Sequence, residues 1–118
     1  MGGLSRLVRG GLYLARLDPV TGTEVGKLRP VAILTAQELL DIEPPLLLIA
    51  PLSSWSRPEY SAFHAEVPAR GDLRVTSYVL VEHCRSISRR RIRSPRLAQL
   101  AADVIDDILH RLRRLTGG

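Results

Sequence analysis

Periodicity divides this chain into two unequal parts. From Leu97 onward apolar residues recur at helical spacing (Leu97, Leu100, Ala101, Val104, Ile105, Ile108, Leu112, Leu115). Asp103, Asp106, Asp107, His110, Arg111, Arg113 and Arg114 occupy the opposite face, acids first and bases last, as the helix dipole favours. Everything before is cut by glycine and proline into apolar runs of strand length. Such a chain is expected to curl its short strands into a small antiparallel sheet or barrel and pack one amphipathic helix on it.

The strands can be placed one by one. Gly11–Leu17 alternates and reads as the first, ended by Asp18-Pro19 because proline offers no ladder donor. A long loop punctuated by Gly22 and Gly26 leads to Pro30–Thr35, apolar throughout and so expected to be buried on both faces. Pro44-Pro45 precedes a third run, Leu46–Leu52. Ala62–Val67 alternates, Phe63, Ala65 and Val67 facing one way and His64 and Glu66 the other. Arg74–Glu82 is rich in β-branched residues, and a short strand follows near Cys84–Ile87. Ser94-Pro95 predicts the helix start, with serine as cap and proline in the first turn, and Gly117 predicts its end. The expectation is one α+β domain over residues 1–118, mainly β, with five or six strands and one long C-terminal helix.

Composition narrows the function. The net charge is +5, and of the seventeen cations only Lys27 is not arginine. Arginine's planar fork suits phosphate, so a polyanionic partner fits. Aromatic residues make up 4% of the chain, which argues against a base-stacking platform. Cys84 is the lone cysteine, so no internal disulfide forms and a reducing compartment is expected. The amino terminus lacks the apolar core of a signal peptide, and no stretch approaches a membrane span, which predicts a cytoplasmic protein.

Candidate chemistry is sparse. His64, His83, His110 and Cys84 lack metal-ligand spacing, and no cofactor loop is present. His64 and His83 could meet as an acid–base pair only if folding brought them together. Ser53 and Ser54, at the end of the third apolar run, are placed to donate to a phosphate oxygen, although such serines commonly just start turns. The run Arg89, Arg90, Arg91, Arg93 and Arg96 reads as a solvated face. More pointed is Arg29, at the mouth of a buried strand and five residues after Glu24.

Three ordered blocks give that arginine a context. Arg9-Gly10-Gly11-Leu12-Tyr13 leads to Leu17-Asp18-Pro19, then Gly22-Thr23-Glu24-Val25-Gly26-Lys27, then Arg29-Pro30-Val31-Ala32-Ile33-Leu34. Later comes Val81-Glu82-His83-Cys84-Arg85-Ser86-Ile87, and the helix closes the order. Across most of its length the chain thereby resembles the MazF/PemK family of toxin endoribonucleases. The resemblance implies an SH3-like or CcdB-like barrel and metal-independent, sequence-specific cleavage of single-stranded RNA such as mRNA. The RNA 2′-hydroxyl would attack its own phosphate, leaving 2′,3′-cyclic phosphate and 5′-hydroxyl ends, with no cofactor. It implies Arg29 as the main catalytic group, Ser53 as its helper at the phosphate, and Glu24 as an orienting or proton-moving residue. RNA contacts are implied for Thr23, Lys27, Ser54, Arg57, Glu82, His83 and Arg85. Implied partners are a second copy of the chain and a MazE-like antitoxin with an acidic, disordered tail.

The chain departs from the family pattern at several positions. Gly11 replaces an acid, Ser53 a threonine, Val25 and Lys27 a glutamine and a glycine, and His83 a glutamine. The loop changes bear on which RNA sequence is read. Two other readings stand beside the nuclease: a CcdB-like gyrase poison without enzymatic activity, and a family member that binds RNA or antitoxin without turnover.

Overall fold

The computed structural model describes residues 6–17 and 27–118. In chain order these form β1 (Gly11–Arg16), β2 (Leu28–Ile33), α1 (Gln37–Leu40), β3 (Leu46–Ser53), β4 (His64–Val67), β5 (Ser77–Leu80), β6 (Arg85–Ser88), β7 (Ile92–Gln99) and α2 (Ala102–Leu115). The seven strands make one antiparallel sheet in the order β4-β5-β3-β2-β1-β7, with β6 also paired to β3.

Strand β3 organises the sheet. One edge carries β2 in the register Val31↔Pro51, Ala32↔Ala50, Ile33↔Ile49. The other carries β6 at Leu46–Ile49 and then β5 at Leu52 and Ser53. β5 and β6 therefore behave as one strand interrupted by the 3₁₀ turn Val81–His83. The barrel expectation needs correction on this point. β6 and β7 follow one another in the chain across the turn Arg89–Arg91, yet they pair with β3 and β1 and not with each other, so the sheet curls but stays open.

Strand alternation sends successive side chains to opposite faces. Leu12, Ala32, Ala50, Leu52, Val79, Ala65 and Val67 pack together on one face with Ile108 of α2 buried among them. Tyr13, Ala15, Val31, Ile33, Leu47 and Ile49 form a second buried cluster on the other face, completed by Leu7, Leu40, Ile87 and Ile92. A sheet buried on both faces is why β2 and β3 read as unbroken apolar runs. Short helix α1 was not foreseen, being too brief for a periodic signal. It is fixed by burial of Leu40 and by the Gln37 amide, which accepts from Arg9 N–H (2.9 Å) and donates to the Leu7 carbonyl (3.1 Å).

The predicted helix start also moves. Ser94-Pro95, joined by a cis peptide bond, lies inside β7, and α2 begins at Ala102 after an extended Ala101. Pairing with β1 outweighs the local cap signal: the register runs from Gly11↔Gln99 and Leu12↔Ala98 to Leu14↔Arg93 and Ala15↔Ile92. From Leu12 to Leu14, β1 advances two residues while β7 goes from Ala98 to Arg93, five, so the extra residues bulge around Pro95. The expected strand Arg74–Glu82 is shortened to β5, and Phe63 sits in the 3₁₀ segment Pro58–Phe63 and not in β4.

Helix α2 closes against the entrance to β1 at Gly10. That residue has φ +76, and a Cβ there would collide with the Ile105 side chain. Glycine is required twice over at this seam, for the left-handed backbone and for the close approach. Among the described residues no helix is long and apolar enough to cross a membrane.

Candidate active site

One face of β3 changes character along its length. Leu47 and Ile49 are buried in core, but Ser53, on the same face by alternation, opens onto a pocket of about 530 Å³. The ladder explains what joins Ser53 there. Ser53 pairs with Tyr78 of β5, and β5 pairs with β4 in the register His64↔Leu80, so alternation turns Leu80 and His64 to the same side. The 3₁₀ interruption after β5 then delivers Glu82 and His83 to the pocket.

The floor is a wired polar group. His64 is 7% exposed and both its ring nitrogens are engaged. Nε2 lies 2.7 Å from Glu82 Oε2 and Nδ1 lies 2.6 Å from Ser56 Oγ. A carboxylate accepts, so Nε2–H donates to Glu82, and in the neutral imidazole Nδ1 accepts a hydrogen bond from the Ser56 hydroxyl. Glu82 Oε1 makes no hydrogen bond to any described residue and remains an acceptor facing the pocket. Ser53 Oγ accepts from Trp55 N–H (3.1 Å), which fixes the oxygen and leaves the hydroxyl proton available to donate.

The walls come from the segment between β3 and β4. Trp55, Arg57, Tyr60 and Phe63 line the pocket, with the Arg57 guanidinium 5.5 Å from the centre of the Trp55 ring. Helix α2 holds this segment in place: Arg111 Nη1 donates to the carbonyls of Ser61 (3.2 Å) and Ala62 (2.7 Å) while its Nε donates to Asp107 (3.0 Å). Helical spacing assigned Arg111 to the face away from the core, and its partners are backbone oxygens that no side-chain pattern announces.

The composition argument against stacking takes no account of where the aromatic residues gather. The chain has one tryptophan, three tyrosines and one phenylalanine, five in all, and three of them converge on this pocket. A percentage cannot register that the few aromatics share one segment. The histidine pair is likewise brought to one pocket, although His64 is tied into the floor by Glu82 and Ser56.

The remaining predicted residues distribute as follows. Ser53, Arg57, Glu82 and His83 line the pocket; Ser54 is exposed beside it, and Arg85 opens β6 opposite Ile49. Arg29 sits half-buried in β2, paired with Ala15 of β1, and does not line the pocket itself. The β2–β3 ladder ends at Val31↔Pro51; Arg29 lies two residues before Val31 in β2, on the face that carries it, and Ser53 two residues after Pro51 in β3. Lys27 is exposed with φ +64, and its carbonyl accepts from Leu17 N–H (2.8 Å). Thr23 and Glu24 lie outside the described residues. Cys84 packs against the helix-side core, and burial pushes its thiol up from the ordinary range, as expected of a core residue. No group of three or more His, Cys, Asp or Glu among the described residues is arranged to hold a metal ion.

Comparison with known proteins supplies the frame for this site. Residues 8–116 match the sequence model of the PemK-like, MazF-like toxin of type II toxin–antitoxin systems. The chain is 27% identical over 101 residues, 85% of each chain, to Endoribonuclease EndoA of Bacillus subtilis (strain 168). A crystal structure of MazF from Deinococcus radiodurans (Form-I) superposes with a TM-score of 0.81 at 29% identity, covering 97% of this chain and 99% of that one. A MazE–MazF structure from the same organism (Form-III) gives 0.74 at 27% identity, over 96% and 98%. With the blocks, the strand order and the helix all matched across nearly the whole chain, this protein belongs to the PemK/MazF family of type II toxins.

Proposed function

We propose that this toxin is an endoribonuclease that cuts single-stranded RNA without a metal ion. The observation that carries the reading is the pocket onto which Ser53 opens at the end of β3, polar in its floor and aromatic in its walls, with Arg29 on the neighbouring strand β2. The reaction needs little more than charge management. The 2′-hydroxyl gives up its proton as its oxygen bonds to the adjacent phosphorus, the bond to the 5′-oxygen breaks, and that oxygen takes a proton, so none is gained or lost overall. The products are a 2′,3′-cyclic phosphate and a 5′-hydroxyl. Negative charge grows on the non-bridging oxygens during the displacement; the Arg29 guanidinium neutralises it and the Ser53 hydroxyl donates an oriented hydrogen bond. Glu24 orients Arg29 or carries a proton.

Arg57, Glu82 and His83, together with Thr23, Lys27, Ser54 and Arg85, are proposed to contact the RNA. The EndoA relationship supports cleavage over a CcdB-like action on gyrase. Arg29→Ala is expected to lower cleavage about a thousandfold, the scale of losing one charge-stabilising donor, with the melting temperature held within a few degrees. Wild-type protein, freed of antitoxin, should cut a long mixed RNA in EDTA and leave 5′-hydroxyl ends. An intact RNA in that assay would sink the proposal, and tight binding without turnover would favour the non-catalytic reading.

Assembly follows the same logic. The toxin is proposed to act in the cytoplasm as a homodimer, where +5 per chain becomes +10 and concentrates potential for a polyanion. The MazE–MazF relative supports an antitoxin partner, whose acidic tail would compete for the basic groove and cover Arg29. Sedimentation revealing a monomer that cleaves at full rate at micromolar concentration would remove the dimer from this reading.

A further inference from the structure

The aromatic wall beside Ser53 calls for an occupant. Trp55 is 62% exposed and Tyr60 45% exposed, although each lines a concave site whose floor is buried. Neither contributes to the two apolar cores. A flat ring left open above polar groups, with an arginine against it, matches the chemistry of an unpaired nucleobase. The base π-face stacks on indole, the guanidinium meets the flanking phosphate, and the base edge meets the floor. The +5 charge of the chain favours a polyanion over an apolar segment, and the exposed rings favour a polyanion that carries bases.

The floor also discriminates between bases. Glu82 has Oε2 committed to His64 and Oε1 unengaged, and the His64 bond keeps the carboxylate from rotating away. A carboxylate acceptor suits an exocyclic amino group, present on adenine, cytosine and guanine. Uracil presents an N–H flanked by two carbonyl oxygens, which the carboxylate repels.

We infer that Trp55, with Arg57 and Tyr60, forms a stacking subsite for one unpaired base next to the scissile phosphate, and that Glu82, held by His64, selects an amino-bearing base over uracil there. The subsite rests on the proposed RNA-cleaving function, but it can be tested without cleavage.

Trp55 is the only tryptophan, so its fluorescence reports the site directly. Fully 2′-O-methylated oligonucleotides cannot supply the attacking hydroxyl and therefore measure binding alone. Their titration into the wild-type dimer should quench the emission, with Kd about tenfold weaker when the position that contacts the wall is changed to uridine. Trp55→Ala should raise Kd for the preferred oligonucleotide about tenfold, in line with the value of one stacked base. Trp55→Phe should recover most of the affinity. Glu82→Gln, which can donate as well as accept, should erase the penalty for uridine. Binding at saturation without any change in Trp55 emission would overturn the subsite, as would Trp55→Ala with unchanged Kd and cleavage pattern. Quenching by an acidic peptide but by no oligonucleotide would also overturn it, assigning the wall to a protein partner. A protein that binds and quenches yet never cuts would fail the nuclease reading and leave the subsite standing.

Discussion

Ile49 and Ser53 lie four residues apart on the same strand and the same face, yet they belong to different worlds. Around Ile49 the face is sealed: Val31, Ile33 and Ile87 surround it, and it is 0% exposed. Around Ser53 the neighbours are His64, Glu82, His83 and the aromatic wall, and the face is open. The backbone ladder runs through both regions, so the apolar end acts as a rigid mount for the polar end. Ser53, proposed to act at the phosphate, ends a strand pinned along its length by flanking strands and has little freedom to wander. What differs between the regions is what happens on β3's second edge: β6 covers the first half, and the 3₁₀ interruption at Val81–His83 brings Glu82 and His83 to the pocket at the transition to β5.

A pair of substitutions on that one face should separate the roles most widely. Ile49→Ala removes a fully buried side chain and is expected to cost about 2–5 kcal/mol in chemical denaturation. Ser53→Ala should change stability by less than about 1 kcal/mol while reducing cleavage roughly a hundredfold, the scale of one lost oriented donor. If Ser53→Ala melts the protein as severely as Ile49→Ala, the two regions are one structural core and the division drawn between them fails.

A smaller effect sharpens the comparison from the far side of Arg29. Lys27 holds a left-handed φ of +64, a region in which a residue with a Cβ is strained. The family pattern has glycine at this place, and the backbone shows why. Lys27→Gly should raise stability by about 1 kcal/mol in a urea titration. It should leave the arrangement of the β3 pocket untouched, measured as an unchanged Trp55 emission spectrum. A loss of stability would mean that the lysine's own contacts outweigh its backbone strain.

The sequence made the sheet legible where patterns are local and periodic. β1, β2, β3 and the C-terminal end of α2 emerge within a few residues of their true bounds because unbroken apolar runs and helical spacing are properties of contiguous segments. Errors arose where a distant partner decided the outcome. Ser94-Pro95 looks like a helix cap until β1 is available to pair with Ile92 and Arg93. Whether a curled sheet closes depends on two edges meeting, and nothing in β6 or β7 alone states that they do not. Ser53 and Arg29 could be nominated from the ordered blocks. His64's links to Ser56 and Glu82, and the gathering of Trp55, Tyr60 and Phe63, come from the β3–β4–β5 register and from the Arg111 tether, which residue spacing does not contain.

The segment from Ser54 to Phe63 supplies the whole aromatic wall, yet none of its residues is buried in either core. It hangs between two strands whose positions are set by other contacts. Such a segment can be exchanged like a cartridge, with selection on its length and ring content proceeding almost independently of selection on foldability. On the proposed reading, a toxin built this way can change the RNA word it reads without losing its fold. A laboratory seeking to reprogram it would randomise those ten positions first, keeping the Arg111 anchor as the socket.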